Sequence, residues 1–109
     1  MIRFEDAVTQ LADAGHEAGI ATLIAPRLAL RSDFVTELLG GGAEQPIALV
    51  CRAAGLSPNG YSAILRMRRR KRPDHNVAAS VLLAAYREVP RLAPIELPKQ
   101  LAAIAAVSS

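Results

Sequence analysis

Apolar residues along the chain recur at three- and four-residue intervals, and no stretch alternates in the two-residue period of a strand. Phe4, Val8 and Leu11 mark a first amphipathic helix, with Gly15 placed to end it. Ile20, Leu23, Ile24 and Leu28 carry a second stripe. Pro26 lies inside that stripe, where it lacks an amide donor and crowds the preceding turn, so a kink or a helix end is expected there. Ser32 is placed to cap a third helix through Val35, Leu38 and Leu39, which the run Gly40 to Gly42 terminates. Pro46 suits the first turn of a fourth helix whose inner face is Ile47, Val50, Cys51 and Ala54.

Gly55 supplies a left-handed turn residue, and Ser57 with Pro58 supplies a cap and first turn for a fifth helix. Tyr61, Ile64 and Leu65 face inward on it, and a basic run occupies its far end. Pro73 and Asp74 read as a break and a new cap before a sixth, alanine-rich helix through Val77, Val81, Leu82 and Tyr86. Pro90, Pro94 and Pro98 form a stiff connector, and Leu97, Leu101 and Ile104 line one side of a short tail helix. The expected fold is all-α with about six or seven helices. Residues 1–89 form the helical domain, and residues 90–109 a connector and amphipathic tail.

Offsetting the sequence by 26 positions lays ATLIAPRLALRSDFVTELL over IALVCRAAGLSPNGYSAIL. Ile24 meets Val50, Ala25 meets Cys51, Ala29 meets Gly55, Val35 meets Tyr61 and Leu39 meets Leu65. Apolar positions and turn position are matched together, which points to two stacked helix pairs capped by the helices before and after them. The segments RLALRSDFVTELL and PIALVCRAAGLSPNGYSAILRMRRR resemble a bacterial family of unknown function whose members are α-helical proteins with short HEAT-like repeats. That resemblance implies a repeat fold and protein binding, and carries over no catalytic residue.

Composition narrows the chemistry. Of 109 residues, 51% are hydrophobic and only 4% aromatic, so the core must rest on close contacts between small side chains. One cysteine excludes an internal disulfide and a multi-cysteine metal site, and a reducing compartment is the default. The start MIRFEDAV lacks the basic and apolar regions of a signal peptide. The longest largely apolar run, VAASVLLAAY, is about half the roughly 20 residues a bilayer span needs. The expected location is the cytoplasm.

The net charge is +3, yet Arg66, Arg68, Arg69, Arg70, Lys71 and Arg72 are six cations in one place, and removing them leaves −3. Basicity is a local patch on a mildly acidic chain. Those six residues are the candidate contact site for an acidic protein partner. The alternative is a helix-turn-helix reading, with Cys51, Gly55 and Ile64 at suitable positions and the run used on nucleic acid. The amino-terminal positions of the fifth helix argue against base reading, because only Asn59 and Ser62 there carry suitable groups.

Catalysis finds little support. His16 and His75 are remote from each other and neither has metal-ligand spacing with Cys, Asp or Glu. Cys51 lies on an apolar stripe as a small core residue. The three consecutive glycines are followed by no P-loop Lys-Ser/Thr. The sequence therefore reads as a non-enzymatic interaction module without a cofactor, whose partner is a protein or a second copy of itself.

Overall fold

A computed structural model describes residues 3–41, 44–72, 78–90 and 95–108, and among them every regular element is helical. The helices are α1 (Phe4–Asp13), α2 (Glu17–Ile24), α3 (Ser32–Gly40), α4 (Gln45–Ala53), α5 (Pro58–Lys71), α6 (Ala79–Glu88) and α7 (Leu97–Ser108). A short 3₁₀ turn, Ala25–Leu28, follows α2. Pro26 is the second residue of that turn: α2 stops just before it, and the backbone tightens where a proline removes an α-helical donor.

Three helix ends share one device. Beyond α1, α4 and the 3₁₀ turn the chain enters the left-handed region at Gly15 (φ 76°), Gly55 (φ 88°) and Ala29 (φ 53°). The next amide then reaches back five residues: His16 donates to the Leu11 carbonyl at 2.9 Å, Leu30 to Ala25 at 3.0 Å and Leu56 to Cys51 at 3.1 Å. These bonds satisfy carbonyls that the ending helix leaves without donors. The turns at Ala29 and Gly55 lie at the 26-residue offset found in the sequence.

The helices flanking those two turns pack differently. α2 lies along α3, whereas α5 leaves α4 and lies against α1 and α6, and α4 packs against α7 and α3. α5 is thereby the central helix, with Gly60, Tyr61, Ala63, Ile64, Leu65, Met67 and Arg68 all buried. Its neighbours contribute Val8 and Ala12 from α1, Ile20 and Ile24 from α2, and Val35 and Leu39 from α3. Small residues (Ala12, Ala21, Ala25, Ala63) are fully or almost fully buried among them, as the low aromatic content requires.

The two tyrosines close the core on the α6 side. Their rings stack at 4.1 Å between centroids and 11° between planes, and the Tyr86 hydroxyl donates to the Leu56 carbonyl at 2.7 Å. This bond satisfies the one polar atom of an otherwise apolar ring. Arg52 on α4 donates through Nε to the Val89 carbonyl at 3.3 Å, tying the end of α6 to α4.

Three local expectations are corrected. Ser32 is the first residue of α3, and the residue in capping position is Arg31, one earlier, with no side-chain cap bond. Val81, placed on the inner face of α6 by its spacing, is 59% exposed, because α6 rests on Tyr86 and the half-buried Leu82 and Leu83. Pro98 is the second residue of α7 rather than part of the connector. The cap expected at Asp74 and the inward position of Val77 lie outside the described residues. The tail docks on its own chain: Leu97 is fully buried and Leu101 nearly so, with α7 against α4.

Candidate interaction site

The basic end of α5 sits where other helices finish. The carboxyl termini of α1 and α3 both arrive beside its last turns, each bringing carbonyls that lack intrahelical donors and the negative end of a helix dipole. Arg70 donates to the Ala12 carbonyl at 2.8 Å and to Asp13 at 3.3 Å. Lys71 donates to the Gly15 carbonyl at 2.7 Å and pairs with Glu17 Oε1 at 2.9 Å. α1 is thus closed at its carboxyl end by side chains more than fifty residues away in sequence.

Arg68 does the same for α3. Only 5% exposed, it donates to the Leu39 carbonyl, to the Gly41 carbonyl at 2.9 Å and to Glu44 Oε1 at 2.9 Å. Arg72 adds a longer bond to the Leu39 carbonyl at 3.3 Å. The dipole of α5 itself favours cations in its last turn but does not call for six of them. The additional demand comes from two further helix termini.

Of the six candidate contact residues, Arg68 is therefore turned inward and Arg72 is half-buried against α3. Arg66, Arg69, Arg70 and Lys71 are exposed. Arg66 stands 3.8 Å from Asp13 and donates to Ser62 Oγ at 3.3 Å, both in exposed positions where an ion pair is worth little. What faces outward is a narrower cationic surface than the sequence offers, with Arg70 and Lys71 held in place by main-chain carbonyls.

The amino end of α5 carries the opposite charge. Glu5 of α1 accepts the Ser57 amide at 2.6 Å through Oε1 and the Ser57 hydroxyl at 2.8 Å through Oε2. Ser57 does occupy the capping position, but its hydroxyl donates to Glu5 and makes no cap bond to α5. A carboxylate at this positive helix end is stabilised by the dipole and stands where a nucleic-acid phosphate would otherwise be received. Glu5, Glu17 and Glu44 had no local signal in the sequence, because their partners are 52, 54 and 24 residues away.

Cys51 is fully buried, and burial pushes its thiol up to about 12, with nearby Arg68 pulling it down less and Glu44 adding to the rise. Such a thiol stays protonated and is a poor nucleophile. His16 is exposed ahead of α2, and His75 lies outside the described residues. Among the described residues no three His, Cys, Asp or Glu side chains gather as a metal site, and no helix is long and apolar enough to cross a membrane. An open depression of about 470 Å³ lies between the Ala29 turn and α3, lined by Leu30, Phe34 and Glu37 among others. Comparison with protein-family models, with curated proteins and with solved structures finds no match to this chain.

Proposed function

We propose that the protein is a non-enzymatic, HEAT-like helical module of the cytoplasm that binds a protein partner through the outward part of its cationic helix end. The observation that carries this reading is the fixing of Arg70 and Lys71 by carbonyls of the α1 carboxyl end and of the Gly15 turn after it, beside exposed Arg66 and Arg69. Cations held in position lose less conformational entropy when an acidic surface arrives, and each guanidinium offers donors in a planar fork suited to carboxylates. The shared turn at Ala29 and Gly55 supports treating residues 21–39 and 47–65 as two related turn-bearing units, of which the first closes as a packed helix pair while α5 leaves α4 for α1 and α6.

The helix-turn-helix alternative is weakened by the same geometry. A recognition helix offers its amino-terminal end to a groove, whereas α5 is buried along most of its length and carries the Glu5 carboxylate at that end. The test compares wild type with the full-length R66Q/R69Q variant in affinity purification, followed by titration with each purified protein recovered. Fluorescence anisotropy with duplex DNA and single-stranded RNA at two salt concentrations runs in parallel. The reading expects a protein bound at micromolar or tighter affinity and weakened at least tenfold by the variant. Submicromolar nucleic-acid binding that the variant loses, with a steep salt dependence, would establish the alternative instead.

A further inference from the structure

A second hollow, of about 350 Å³, lies where the start of α1, the 3₁₀ turn and the Gly55 turn meet. Phe4, half-buried, and Ala54, only 5% exposed, give it apolar walls. Two exposed arginines, Arg3 and Arg27, line it from outside the basic run of α5.

Arg27 is held in place. Its guanidinium carbon lies over the Phe4 ring, 3.7 Å from the centroid, in a cation–π contact. Stacking engages the flat face of the group and leaves its N–H donors at the edge, where they make no hydrogen bond or ion pair among the described residues. Arg3 occupies the capping position of α1 and makes no cap bond. A cation there faces the positive end of the α1 dipole, so helix stability does not account for it. Pairing does not account for it either, since Arg3 has no hydrogen bond or ion pair among the described residues.

The net charge of the hollow selects among anions. The carboxyl end of α4 and the amino end of α5 meet at the Gly55 turn, so their dipoles oppose each other there. Side chains therefore set the field. Two guanidiniums against the Glu5 carboxylate leave a surplus of one positive charge. Glu5 is tied to Ser57 through both oxygens, so it cannot turn away from an incoming ligand without breaking two bonds.

We propose that this hollow binds a small monocarboxylic acid, its carboxylate on the edges of Arg27 and Arg3 and its apolar body against Phe4 and Ala54. A planar guanidinium edge matches a carboxylate through paired N–H donors, and one fixed on a ring loses little freedom when it binds. A single negative charge matches the surplus, whereas a phosphate dianion would set its second charge against Glu5. The volume is at the lower end of the range for ligand sites, which limits the ligand to a compact body. The site shares no residue with the cationic end of α5 and does not depend on the protein-partner reading.

The test is an amide-resolved NMR titration of the full-length protein with phenylpropionate. Binding at millimolar or tighter Kd is expected, with shifts at the Gly55 and Ser57 amides and the Arg27 side chain. Phenylpropionamide, with the same body and no charge, should bind at least tenfold more weakly, and so should the acid to R27Q. R27K, which keeps the charge and loses the planar fork, should also bind more weakly than wild type. Arg27 is exposed, so both variants should fold, and their amide spectra away from the hollow report it. R66Q/R69Q should bind the acid as wild type does, which separates failure of this site from failure of the α5 site. No shifts at these groups with millimolar acid, or equal affinity for the amide or for R27Q, would overturn the proposal. Inorganic phosphate binding here more tightly than the acid would overturn the single-charge assignment. A blocked peptide ending in phenylalanine that binds at least tenfold more tightly than the free acid would overturn the assignment to a small molecule.

Discussion

Replacing Arg68 by methionine keeps most of the aliphatic stem in the core and removes the guanidinium that closes α3. The Gly41 carbonyl and Glu44 Oε1 each lose a donor at 2.9 Å, while the Leu39 carbonyl retains Arg72 at 3.3 Å. A buried acceptor left without a partner costs about 1–3 kcal/mol. Breaking a buried ion pair from one side costs about 3–5 kcal/mol. The Glu44 side chain is 24% exposed overall but its Oε2 is buried without a hydrogen-bond partner, so water recovers only part of its solvation and the lower end of that range is the minimum expected. A loss of at least about 3 kcal/mol follows, or roughly 12 °C in Tm for a domain of this length. Urea denaturation followed by circular dichroism at 222 nm would measure it, with the m-value unchanged. Two controls fix the cause. R66Q alters an exposed pair at 3.8 Å and should shift stability by less than about 0.5 kcal/mol. R68M/E44L, which removes both charges, should be more stable than R68M alone, because no carboxylate is stranded. An R68M protein within about 0.5 kcal/mol of wild type would refute the argument that the basic run is built into the fold through helix carboxyl termini.

The turn residues and the buried thiol give further outcomes. Gly55→Ala forces a side chain into φ 88° and should cost about 1–2 kcal/mol, whereas Ala29→Gly relieves φ 53° and should be neutral or stabilising by up to about 1 kcal/mol; chemical denaturation reads both, and equal signs would count against the shared turn geometry. Cys51 should resist alkylation at pH 8 in the folded protein and react once it unfolds. Its thiol is raised from an ordinary value near 9.0 to about 12, so above pH 9 the unfolded chain releases a proton that the folded chain keeps. Stability should therefore be intact below pH 9 and fall above it by up to about 1.4 kcal/mol per pH unit, and Cys51→Ala should flatten that fall between pH 9 and 10, below the onset of the two raised tyrosines.

The amino-acid sequence by itself determined the all-helical class, most helix limits and most of the inner faces. These are local properties: apolar period, proline at Pro26, Pro46 and Pro58, and left-handed turns at Gly15 and Gly55 act within a few residues, so they are legible without knowing what packs where. The exposed Val81 and the shifted cap at Arg31 mark the limits of that reading, since spacing names a face before it is known whether anything covers it. Only the tertiary structure decided the role of the cations. Arg68, Arg70 and Lys71 read as a charged helix end, and their purpose became visible when the ends of α1 and α3 arrived beside them with carbonyls that no α-helical donor reaches. The same is true of Glu5 on Ser57 and of Tyr86 on the Leu56 carbonyl. Hydrogen-bond demand at a helix terminus is fixed by the backbone, but which distant side chain meets it depends on how the helices cross, and that is a property of the assembled core.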